Sequence, residues 1–161
     1  EVLAGRGATF QFNTEWCEIA PDMMFSGEIP RKTDYEKGDT RLVIKTDTGY
    51  SHDIIRDDQT LIMNTEKGLI VILGCSHSGI INILNYIIEQ TGESHFRTII
   101  GGTHLGPASE ETVDKSIQAL KQFDIDRIGV SHCTGLKAST KLSQAFGERF
   151  FFCNVGTEIS I

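Results

Sequence analysis

The residues of this chain best suited to chemistry near neutral pH are its five histidines and four cysteines, and three of the histidines share one context. His77 follows an apolar run, Leu69-Ile70-Val71-Ile72-Leu73, and the turn Gly74-Cys75-Ser76. His104 follows Ile99-Ile100-Gly101-Gly102-Thr103, and His132 follows Ile128-Gly129-Val130-Ser131 and precedes Cys133. Each is a short β-rich run, then an imidazole, then a helical pattern. Imidazole and thiolate are good ligands for zinc, iron or manganese, and separate strand ends can aim several of them at one point. His52 and His95 sit instead in polar, loop-like sequence and read as ordinary surface or hydrogen-bonded residues. Cys75 and Cys133 have a plainer reading as small buried residues. If the strand before it continues, Cys133 points away from His132. A thiol-based redox role for either would require an accessible thiol of low pKa, and neither has a resolving partner nearby in sequence.

The elements that must position these residues follow from periodicity. A continuous apolar run is covered on both faces, as in the central strand of a layered α/β domain, and ligands of such sheets collect where strands end. Thr60–Thr65 and Gly68–Leu73 read as a hairpin. Ile80, Ile81, Ile83, Leu84, Ile87 and Ile88 recur at helical spacing, as do Val113, Ile117, Leu120 and Phe123 after the helix start Ser109-Glu110-Glu111. A third helix is expected from Ala138 to Phe146, and the strands 149–153 and 157–161 close the chain. Near the start, residues 8–13 and 15–20 alternate like two antiparallel strands turning at Asn13-Thr14. Residues 21–58 read as a long surface loop or lid, broken by a strand at 42–45. The expected order is ββ, loop, ββαβαβαββ, in a single domain over residues 1–161.

A net charge of −7, without a basic stripe, argues against non-specific binding of nucleic acid but not against a small anionic substrate. The longest apolar run falls well short of the ~18 residues that suggest a membrane span. Widely separated cysteines without a CxxC pair suit reduced thiols in a cytoplasmic protein.

Taken together, Gly74-Cys75-Ser76-His77-Ser78-Gly79-Ile80, Gly101-Gly102-Thr103-His104-Leu105 and Ser131-His132-Cys133-Thr134-Gly135 resemble the metallo-β-lactamase superfamily. The branch they most resemble comprises metal-dependent hydrolases related to a dihydropterin ribofuranosylaminobenzene phosphate synthase. Ser26-Gly27-Glu28-Ile29-Pro30-Arg31 and Asp57-Asp58-Gln59-Thr60-Leu61 match the same branch. The resemblance implies an α/β fold, the αββα sandwich, with one or two divalent metals at the sheet edge, zinc first and iron or manganese as alternatives. Members carry an HxHxDH motif in their N-terminal half, and no such motif occurs in this sequence. The chain thus resembles the C-terminal half only. A companion chain or segment carrying HxHxDH is the implied partner, and weak or no metal retention is implied for this chain alone.

Carried over by residue, the resemblance makes His132 a metal ligand, His77 a second and Cys75 a third candidate. It places His104 beside the metal as the group that handles substrate or a proton, and Arg31, Ser76 and Thr103 near the substrate. The implied activity is hydrolysis of a small ester or phosphate, anionic substrates included, by metal-activated water, or a transferase reaction of the pterin-precursor type. The alternatives are a non-catalytic fragment or partner subunit and, third, a thiol redox protein.

Overall fold

The computed structural model describes residues 2–160. Its sheet is built in two halves of opposite character. β1 (Cys17–Ala20), β2 (Met23–Phe25), β5 (Thr60–Met63) and β6 (Leu69–Leu73) run antiparallel; β6, β7 (His95–Gly102), β9 (Ile128–Ser131) and β10 (Phe150–Phe152) run parallel. The order across the sheet is β1-β2-β5-β6-β7-β9-β10, and the two-residue β8 (Asp124–Ile125) also pairs with β7. β3 (Val43–Thr46) and β4 (Gly49–His52) form a separate hairpin.

Three crossover helices connect the parallel strands: α1 (Ile80–Thr91), α2 (Glu110–Leu120) and α3 (Gly135–Phe146). Their apolar stripes meet one face of the sheet. Ile62, Val71, Ile99 and Ile128 stand side by side in the strand register and are fully buried, against Ile83, Leu84, Ile87, Leu120 and Leu142 of the helices. The other face carries its own apolar row in the next register, Phe25, Leu61, Ile72, Ile100 and Phe151, and none of these is fully covered. A sheet this apolar on both faces calls for a layer on each.

Several expectations are revised. Residues 8–13 form no strand; the first hairpin lies later, β1 to β2, and turns at Pro21-Asp22, with Asp22 in the left-handed region (φ 61°). The segment 21–58 is not a bare loop, since it contributes β2 and the β3–β4 hairpin. It is also anchored. The buried Glu36 carboxylate accepts from Ile81 N and Asn82 N, both at 2.9 Å, and so caps α1 from outside, where Gly79 at the N-cap has no side chain to do so. The last expected strand does not form over residues 157–160, and Ile161 lies outside the described residues. Ile100 faces the side of the sheet away from the helices and is only partly buried, because it is one residue out of step with Ile99. Among the described residues no helix is long and apolar enough to cross a membrane.

Candidate metal centre

Three turns, after β6, β7 and β9, meet at one edge of the sheet, and each contains a non-glycine residue in the left-handed region: Ser76 (φ 61°), His104 (φ 50°) and His132 (φ 52°). Such conformations cost roughly 1–3 kcal/mol each and persist where the surroundings enforce them. Hydrogen bonds supply that enforcement. Asp58 clamps the first turn, its two carboxylate oxygens accepting from Cys75 N at 3.0 Å and His77 N at 2.8 Å. The buried Ser76 hydroxyl donates to Gly102 O at 2.6 Å, which ties the first turn to the second. Thr103 N and the Thr103 hydroxyl meet the Thr134 hydroxyl at 3.2 and 3.1 Å, and His104 N donates to Cys133 Sγ at 3.2 Å, tying the second turn to the third.

The result is two groups of metal-ligating atoms that share one sulfur. In the first, the ligating atoms of Cys75, His77 and His104 all lie within 4.8 Å of one another; in the second, those of Cys75, Cys133 and His132 do. The His77 and His104 rings are 4.2 Å apart between centroids, and Cys75 Sγ stands 3.9 Å from His104 Nδ1. His77 Nδ1 and His104 Nε2 are buried and have no hydrogen-bond partner in the protein. Buried ring nitrogens without partners are costly, and a group of two imidazoles and a thiol this close together has the donor chemistry of a divalent-metal site. Cys75, His77 and His104 would hold the metal, with Cys133 and His132 available as further donors in the group that shares the Cys75 sulfur.

Electrostatics reinforces neutral imidazole. Burial, and then the neighbouring His77, push the His104 pKa down, against the opposing pull of Asp39, whose Oδ2 lies 3.8 Å from His104 Nε2. Asp39 itself is held well below the usual carboxylate range, first by hydrogen bonds from Arg41. Burial, followed by the Cys133 hydrogen bond, pushes the Cys75 thiol up to about 12, so without a cation nearby it stays protonated.

Beside the cluster lies a cavity of about 330 Å³, bordered by His77 and His104, by Tyr35, Lys37 and Asp39 from the segment 21–58, and by Thr112 of α2. That volume sits at the lower end of small-molecule sites.

The sequence-derived candidates fall unevenly around this centre. Cys75 and His77 stand in it. His104, expected beside the metal rather than on it, is in the same group as His77, because its left-handed backbone follows directly on β7. His132 groups with the cysteines and is exposed. Ser76 and Thr103 border the cavity, but they are almost completely buried and their hydroxyls already hold neighbouring turns. Arg31 lies elsewhere: its guanidinium donates to His77 O at 2.6 Å and to Ile54 O, so it braces the turn from behind and is not among the residues bordering the cavity. Cys133 reverses its expected direction, because the strand ends at Ser131 and the left-handed His132 turns the thiol back toward Cys75. Asp39 and Asp58 had no assigned role. Asp58 falls within a motif matched by the resemblance, whereas Asp39 sits in a polar stretch where nothing separates it from solvated charge.

No family model matches the chain. Among curated proteins it is 34% identical over 153 residues to the 7,8-dihydropterin-6-methyl-4-(β-D-ribofuranosyl)-aminobenzene-5′-phosphate synthase of Methanocaldococcus jannaschii, covering 93% of this chain and 51% of that protein. An uncharacterized protein of the same organism is 37% identical over 144 residues, with 89% and 52% covered. Among solved structures, Tm1679, a metal-dependent hydrolase of the β-lactamase superfamily, matches with a TM-score of 0.83 and 27% identity, over 95% of this chain and 58% of that one. The chain therefore spans about half the length of the curated relatives it matches. In sequence and in fold together, it is a relative of the metallo-β-lactamase superfamily.

Proposed function

We propose that this chain forms the substrate-binding and part of the metal-binding half of a divalent-metal enzyme, a hydrolase of small esters or phosphates or a transferase of the kind named for its synthase relative. The observation that carries this reading is the group of Cys75, His77 and His104, whose ligating atoms lie within 4.8 Å of one another and whose two imidazoles border the cavity. A bound divalent metal supplies Lewis acidity, which lowers the pKa of water and polarises a carbonyl or phosphoryl oxygen. The chain's own residues do the rest. Asp58 fixes the backbone that presents Cys75 and His77, so the donors are oriented before any ligand arrives. Asp39 lies near His104 Nε2 and favours one ring orientation. Lys37, at the cavity border, is the positive charge an anionic group would meet in place of Arg31, since Arg41 beside it is paired with Asp39.

Zinc suits a donor set that mixes thiol and imidazole, and iron is the next candidate. The partly exposed apolar row on the sheet favours a second layer carrying HxHxDH, from a companion chain or a further segment of the polypeptide. Four free thiols accord with a cytoplasmic location. A non-catalytic partner role remains the second reading, favoured by the missing HxHxDH. The test is metal-dependent turnover of a panel of phosphomonoesters, phosphodiesters and carboxylic esters, with and without the HxHxDH half. Turnover that needs zinc or iron and falls at least ~100-fold in His77→Ala supports the enzyme reading, given the size of metal-ion effects on catalysis. Metal binding with no turnover of any panel member in the completed assembly supports the partner role.

A further inference from the structure

Cys75 and Cys133 belong to turns after β6 and β9, which are not neighbours in the sheet; β7 runs between them. Two ladder spacings separate such strands by roughly 10 Å. The two sulfurs are nevertheless 3.2 Å apart. Two features close the gap. β7 ends in Gly102, where a Cβ would fall 2.8 Å from Cys133 Sγ and 3.4 Å from Cys75 Cα, so only glycine leaves room for the thiols to meet across the strand end. The left-handed His132 then turns Cys133 inward, where it is 3.2 Å from both Cys75 O and His104 N. Both cysteines are half-buried, within reach of a small solute. Cys17 on β1 and Cys153 after β10 lie at opposite ends of the sheet order and have no such partner among the described residues.

We propose that Cys75 and Cys133 form a redox-modification site, a dithiol that closes to a disulfide with a peroxide or a small disulfide as oxidant and reopens with a thiol reductant. Its consequence, which rests on the metal-centre reading above, is that closure removes the sulfur shared by the two ligand groups and so lowers metal affinity. A disulfide needs the sulfurs at ~2.05 Å, about an ångström nearer than they stand. With hydrogen peroxide, Cys133 Sγ gives up its proton and attacks a peroxide oxygen, the O–O bond breaks, and hydroxide leaves and takes up that proton as water. The other sulfur then attacks the resulting sulfenic acid, the S–S bond forms, and a second water departs. The two thiols lose two electrons and two protons, and the peroxide ends as two waters.

The test oxidises the reduced protein with one equivalent of hydrogen peroxide, blocks remaining thiols, and maps cross-links by mass spectrometry without reduction, with zinc affinity measured before and after. Expected are a Cys75–Cys133 cross-link, loss of two of the four titratable thiols, reversal by dithiothreitol, and at least tenfold weaker zinc binding in the closed form. Gly102→Ala should slow cross-linking by roughly tenfold or more, since orientation sets the effective concentration of one thiol at the other. Cys133→Ser, which tests the pair should Gly102→Ala fail to fold, should leave Cys75 without a protein cross-link. Separate oxidation of the two cysteines in the wild type, with no cross-link, would overturn the site. A cross-link with unchanged zinc affinity would overturn its coupling to the metal. Reduced protein that binds no zinc, yet cross-links, would count against the metal centre and leave the dithiol standing.

Discussion

Asp58 is the residue on which the orientation of the donors depends most, although its side chain contacts only backbone N–H groups in the turn. Asp58→Ala leaves Cys75 N and His77 N without acceptors and frees the turn to relax its left-handed Ser76. Metal affinity should fall ~10- to 100-fold although no donor atom is removed, a magnitude typical of groups that orient ligands from behind. Competition titration with a zinc chelator checks this, and affinity within twofold of wild type would show that the turn holds its shape without the clamp. Among the donors, the histidines and Cys75 were legible because a β-rich run followed by an imidazole recurs three times. The inward turn of Cys133 was not, since it depends on a positive φ at His132 that no local signal announces. Arg31 was legible as important but not in its role: the sequence shows a guanidinium, while only the packed turn shows that backbone carbonyls already occupy it.

At the scale of elements, β6 and α1 carry Cys75 and His77 between them, and their stability is separable from the chemistry of the centre. Leu73, 6% exposed, precedes the turn and packs in the core, so Leu73→Ala should cost ~2–5 kcal/mol by denaturant melt; a loss below ~0.5 kcal/mol would show the site able to collapse around the gap. The Glu36 cap adds a pH signature. Burial raises the Glu36 pKa, against the pull of the Ile81 and Asn82 N–H groups. A carboxyl whose folded pKa is raised contributes stability fully present below its unfolded value and lost as pH rises through the folded one. The melting temperature of wild type relative to Glu36→Gln should therefore fall as pH climbs upward from about 4.5. A difference that is flat or rises would mean that the N–H donors of α1 outweigh burial. Strong periodicity made all three helices and the parallel strands legible. The first hairpin was misplaced because alternation in residues 8–13 mimics a strand without a partner to pair with, and the Glu36 cap was invisible because it joins residues far apart in sequence.

For the whole molecule, the two faces of the sheet tell different stories. One is sealed by three helices, while the other presents Phe25, Leu61, Ile72, Ile100 and Phe151 in register, each left at least partly exposed. Expressed without a companion half, the chain should self-associate through that face. Ile100→Lys should then shift it toward monomer in sedimentation velocity, while an equivalent change on the exposed Val43 of the β3–β4 hairpin should not. Monomeric wild type with a cooperative melt would mean that the row is stable in water as it stands. The central claim, that the strand-end cluster is a mixed thiolate and imidazole metal site, is tested most directly by X-ray absorption at the zinc edge on protein loaded with one equivalent of zinc. The account predicts sulfur at ~2.3 Å with nitrogen at ~2.0–2.1 Å, and loss of part of the sulfur shell in Cys75→Ser. A shell of oxygen and nitrogen alone, unchanged in Cys75→Ser and in the His77→Ala, His104→Ala double variant, would contradict it.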